Sequence, residues 1–84
     1  MAISAHVEKD QLIVSASDMK DDPALIIEGP RNVWFGKPVM QRDGKSLRYE
    51  VPIERTGDAT LKDADITLIF SGTHTAIKAT RKVE

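Results

Sequence analysis

The run Ser46-Leu47-Arg48-Tyr49-Glu50-Val51-Pro52-Ile53-Glu54 alternates with period two. Leu47, Tyr49, Val51 and Ile53 share one side, and Ser46, Arg48, Glu50 and Glu54 share the other, the pattern of a half-buried antiparallel strand. Asp43-Gly44 precedes it and reads as a two-residue hairpin turn, since a type I′ turn needs positive φ at both central positions. Pairing outward from that turn sets Gln41 opposite Ser46 and Met40 opposite Leu47, which puts Met40 on the apolar face. Pro52 has no N–H to donate to a ladder, so this strand is expected to be an edge or to be bulged at that point.

Working outward, two more hairpins satisfy the same test. Gly72-Thr73 fits a type II′ turn with glycine first, aligning Phe70 with Thr75, Leu68 with Ile77 and Ile66 with Ala79. A Lys9-Asp10 loop aligns Val7 with Leu12, Ala5 with Val14 and Ile3 with Ala16, again with the apolar residues on one side. Residues 24–28 form a further short strand, closed by Gly29-Pro30. No segment carries a sustained helical stripe, and the best helical stretch, Ser17 to Asp22, is cut by Pro23. Six to seven short strands with turns every eight to twelve residues predict a small all-β fold. The expected architecture is an immunoglobulin-like or fibronectin-like antiparallel β-sandwich, with residues 1–84 as a single domain. A core this small buries only about 60–65% of the unfolded chain's surface, and with no cysteine it has no disulfide to help it.

Composition narrows the function classes. Twelve basic and thirteen acidic residues give a net charge of −1, without a basic cluster, and there are four aromatics: Trp34, Phe35, Tyr49 and Phe70. Nucleic-acid binding wants clustered cations or a run of stacking rings, so no nucleic-acid partner is expected. The apolar runs are far short of the ~20 residues a spanning helix needs, so no direct membrane insertion is expected either.

Chemistry is sparse. His6 and His74 lie in different hairpins and read as surface residues. Asp18, Asp21 and Asp22 lack calcium-loop spacing and read as a solvated acidic loop, so neither metal nor cofactor is expected. The serines have no Gly-x-Ser-x-Gly setting and no placed base, and the chain is expected not to be an enzyme by itself. Trp34-Phe35 is the best contact candidate, in a connection bracketed by Gly29-Pro30 and Gly36-Lys37-Pro38. One ring is expected to plug the core and the other to face a neighbour.

Several features occur together from Asp22 to Val83. They are Glu28-Gly29-Pro30, Phe35-Gly36-x-Pro38, Asp43-Gly44, a strand ending Val51-Pro52-Ile53, and a late strand pair around Leu68 and Ile77. This stretch resembles the β-domain that accompanies the thiol-bearing domain of periplasmic protein-disulfide reductases of the DsbD/ScsB type. The resemblance implies a periplasmic domain excised from a longer exported protein. Its role would be non-catalytic, orienting or docking a neighbouring cysteine-bearing domain through Arg31, Trp34 and Phe35. Those enzymes work through paired thiols, and no redox residue carries over to a chain without cysteine. The alternative is a free-standing or adhesin-type β-sandwich that binds a ligand such as carbohydrate through Trp34.

Overall fold

The computed structural model describes residues 2–19, 21–30, 33–55, 61 and 63–84, which form eight strands and no helix. In chain order they are β1 (Ile3–Glu8), β2 (Gln11–Ala16), β3 (Ala24–Glu28), β4 (Val33–Phe35), β5 (Val39–Asp43), β6 (Ser46–Arg55), β7 (Asp65–Ser71) and β8 (Ala76–Lys82). One sheet runs β1-β2-β6-β4, with β5 also paired to β6, and the other runs β3-β7-β8; every pairing is antiparallel. With β4 and β5 taken as two arms of one strand, this is the constant-type immunoglobulin order, four strands facing three.

The alternating run is the centre of its sheet and not an edge. β6 pairs with β2 on one side and with β5 and then β4 on the other. Pro52 is tolerated there because of where its missing N–H would point. The N–H of Ile53 reaches across to the Asp10 carbonyl (3.0 Å), so the polar groups of residue 52 face the opposite side, where its carbonyl accepts the Gly36 N–H (2.8 Å). That is also where β5 gives way to β4. Phe35 opposes Ile53 and Val39 opposes Glu50, so three residues on one strand (36–38) face two on β6 (51–52). The strand that carries Pro52 is thus neither an edge nor bulged, and the bulge lies on the strand opposite it.

The three hairpins fared differently. The Lys9-Asp10 register is as expected, with Val7, Ala5 and Ile3 opposite Leu12, Val14 and Ala16. Lys9 takes a left-handed φ of 54°, a strain of about 1–2 kcal/mol for a non-glycine residue that the buried face outweighs in setting the register. The other two pairings are each shifted by two residues. Gly44, at φ 61°, is the first loop residue and Lys45 the second, so Met40 opposes Tyr49 rather than Leu47. Gly72 opens a four-residue loop closed by its N–H to the Thr75 carbonyl (2.8 Å). Phe70 therefore opposes Ile77, Leu68 opposes Ala79 and Ile66 opposes Arg81. Gly72 is needed there for close approach, because a Cβ would lie 2.5 Å from Asp21 Oδ2 and 3.1 Å from the Pro23 backbone. A two-residue shift preserves every face, so the apolar sides still point inward.

Between the sheets lies a core with Leu12, Val14, Tyr49, Val51, Leu68 and Phe70 fully or almost fully buried. The Tyr49 and Phe70 rings sit 5.8 Å apart and tilted by 59°, a favourable aromatic geometry. Met19, in the crossover from β2 to β3, is also buried, although that segment reads as polar. The crossover is fastened by Arg42, which donates to the Met19 carbonyl (2.9 Å), the Gly44 carbonyl (2.8 Å), the Asp21 carbonyl and the Asp22 carboxylate (2.8 Å).

The two seams of the sandwich are unequal. On one side the N–H of Val7 donates to the Glu84 carbonyl (3.3 Å), and the N–H of Glu84 donates to the Ala5 carbonyl (3.0 Å), stitching the sheets together. On the other, the outer edges of β3 and of β4–β5 have no further strand neighbour among the described residues. That seam holds an open groove of about 310 Å³ beside Pro23, Leu25, Pro38, Met40 and Tyr49.

Candidate interaction surface

Trp34 and Phe35 lie on a strand, β4, and not in an irregular connection. Consecutive residues on a strand point to opposite faces, so the two rings part company. Phe35 opposes Ile53 and packs, half-buried, against the core. Trp34 opposes Glu54 on the outer face and is 56% exposed. One ring is therefore in the core and the other outside, as the sequence suggests. Arg31 lies outside the described residues.

The glycines of this segment serve packing. A Cβ on Gly29 would come within 2.8 Å of Phe35 Cε2, so Gly29 makes room for the ring that plugs the sandwich. A Cβ on Gly36 would come within 3.2 Å of Pro52 Cβ. The Gly-Pro and aromatic spacing from Glu28 to Pro38 thus follows from how two close contacts are made.

Along the outer face of β6, Glu50 stands opposite Val39, Pro52 lies against Gly36, and Glu54 stands opposite Trp34. Val39 is as exposed as Trp34, at 56%. The result is an apolar strip, Trp34–Pro52–Val39, edged by two carboxylates. Neither Glu50 nor Glu54 forms an ion pair with a described residue. Sequence reasoning singled out Trp34 and missed Val39, because strict alternation from Trp34 sends residue 39 to the inner side. The only available signal was Pro52 inside a strand, which reads as an edge or a bulge of that strand, whereas the bulge lies on its neighbour.

The remaining polar groups are engaged otherwise. His6 Nε2 lies 3.3 Å from Glu8 Oε1, and Arg48 Nη2 lies 3.4 Å from Glu8 Oε2, a surface network that flanks the buried Ile13. His74 is exposed, and its N–H donates to Asp21 Oδ2 (2.8 Å). No group of three metal-ligating side chains converges among the described residues. A depression of about 500 Å³ on the outer face of the five-stranded sheet is lined by Ser4, Ser15, Ser46, Arg42 and Arg48 among others, with no histidine.

Asp21 ties the crossover to the β7–β8 loop, and the tie is pH-sensitive. The His74 N–H holds its carboxyl below the usual carboxylate range; partial desolvation opposes this, and the Asp22 N–H (3.0 Å) adds to it. A carboxyl with a lowered folded-state pKa contributes stability above its unfolded value near 4, and that contribution fades as pH falls through the lowered folded value. Asp21→Asn is therefore expected to flatten the loss of stability below about pH 4. Denaturant midpoints taken from pH 6 to pH 2 check this, and curves of equal slope for the two proteins would refute it.

No helix among the described residues is long and apolar enough to cross a membrane. No curated protein matches this chain, and no solved structure does. A family's sequence model matches residues 1–84, and the chain belongs to that family, a domain of unknown function (DUF8393).

Proposed function

We propose that this domain is a non-catalytic interaction module that orients or docks a second protein domain, with the outer face around Trp34 as its contact. The observation carrying this reading is the fate of the four aromatics. Tyr49, Phe70 and Phe35 serve the core, while the single tryptophan stands 56% exposed beside Pro52 and Val39. Tryptophan is the side chain most enriched among residues that dominate interface energy. The resemblance to the β-domain of protein-disulfide reductases suggests the partner, a cysteine-bearing domain of a periplasmic thiol-disulfide reductase. A chain with no cysteine has no thiol chemistry of its own to contribute.

Titrating the ¹⁵N-labelled domain with such a cysteine-bearing domain is the test. Shifts are expected to cluster on residues 33–39 and 50–54, and Trp34→Ala is expected to weaken binding at least tenfold, while changing the stability of the free domain by no more than about 0.5 kcal/mol. Shifts spread elsewhere, or undiminished binding by Trp34→Ala, would overturn the assignment of this face. Saturable saccharide binding lost on Trp34→Ala would make the surface a carbohydrate platform, the next best reading of an exposed indole on a flat sheet.

A further inference from the structure

We infer that the outer strip of β4–β6 recognises an extended basic segment of a partner protein, one whose cationic side chains are four residues apart. The inference rests on the interaction reading above and adds the chemistry of the partner. The two carboxylates of the strip, Glu50 and Glu54, lie on the same face of one strand. Four residues at ~3.3 Å each separate them by about 13 Å. An extended peptide has the same rise and the same two-residue alternation, so its residues i and i+4 meet both carboxylates while i+2 rests on the apolar centre between them.

Each end of the strip pairs a carboxylate with an exposed apolar group. Glu54 stands opposite Trp34, so a lysine or arginine reaching it lies near the indole face and gains a cation–π contact with the ion pair. Glu50 stands opposite Val39, which offers a surface for the aliphatic stem of the second cation. Between them Gly36 has no side chain to rise above Pro52, leaving the centre flat. The neighbouring acid on this face, Glu8, is already paired with His6 and Arg48, whereas no described residue neutralises Glu50 or Glu54. An acidic segment laid along the strip would meet two like charges, and a neutral one would leave both carboxylates partly desolvated without a partner.

The probe is a synthetic capped pentapeptide, Lys-Thr-Val-Thr-Lys, read by Trp34 fluorescence, which reports from the only indole in the chain. Its counterpart is the same peptide with glutamate in place of both lysines. Saturable change with the basic peptide, at least tenfold weaker response to the acidic one, and weakening as salt rises are the expected results. Glu50→Gln with Glu54→Gln is expected to cost about tenfold in affinity, and each single change about threefold. Moving one lysine of the peptide by one residue is expected to cost as much as losing it. Equal binding of the two peptides, no binding of the basic one, or undiminished binding by the double variant would each overturn the inference. Acidic-peptide binding lost on Trp34→Ala would leave the interaction reading standing and remove only the basic partner.

Discussion

Leu68→Ala is expected to cost about 2–5 kcal/mol, a large share of the 5–15 kcal/mol that holds an ordinary domain folded. Leu68 is fully buried in the middle of β7, where it opposes Ile27 on one neighbour and Ala79 on the other. Truncation removes apolar contact and leaves a void between two sheets whose backbones are tied by hydrogen bonds and collapse only partly into it. Arg48→Ala, on the outer face, is the matched control. Its side chain is about half exposed and its contact with Glu8 is long (3.4 Å), so the loss is expected to stay within about 1 kcal/mol. Denaturant melts of the two variants check the assignment of faces, and similar losses would show it to be wrong.

Tyr49→Phe is expected to cost about 1–3 kcal/mol although it removes a single atom. The Tyr49 hydroxyl donates to the Pro23 carbonyl at 2.7 Å within the core, joining the central strand to the start of β3. Without it, that carbonyl is left buried and unpartnered. The same bond gives the domain an alkaline limit. Burial, with the nearby Asp22 charge second, pushes the phenol up to about 12. A group whose folded pKa lies above its unfolded value near 10 contributes stability that is complete below pH 10 and lost as pH rises through about 12. The stability gap between the parent and Tyr49→Phe is therefore expected to narrow across that window. Urea midpoints for both proteins from pH 8 to pH 12 measure it, and a constant gap would remove the phenol from the account.

The arrangement of strands explains why a chain with no disulfide keeps this fold. The positions flanking the core on β2 and β7 hold Leu12, Val14, Leu68 and Phe70, all fully buried. Arg42 and Tyr49 then fasten the crossover from β2 to β3, which has no strand of its own to hold it. Both are strand residues with an ordinary place in the alternation, and apart from the Asp22 carboxylate their partners are backbone carbonyls that carry no mark in a sequence. Met19 escaped notice for the same reason, since a lone apolar residue in a polar stretch has no periodicity to reveal it.

Period-two alternation and turn residues determined the all-β class, the inward faces of six strands and the register of the first hairpin, because a one-residue slip would have moved whole apolar faces into water. They left two registers open by two residues, since such a shift keeps every face, and there the loop geometry around Gly44 and Gly72 decided. The surface strip was beyond the sequence for a different reason. Trp34 and Val39 are five residues apart, and only the extra residue in the 36–38 bulge turns both outward beside Glu54 and Glu50. That extra residue is set by where Pro52 lacks a donor and which strand lies against it, and strand adjacency is a property of the assembled sheet alone.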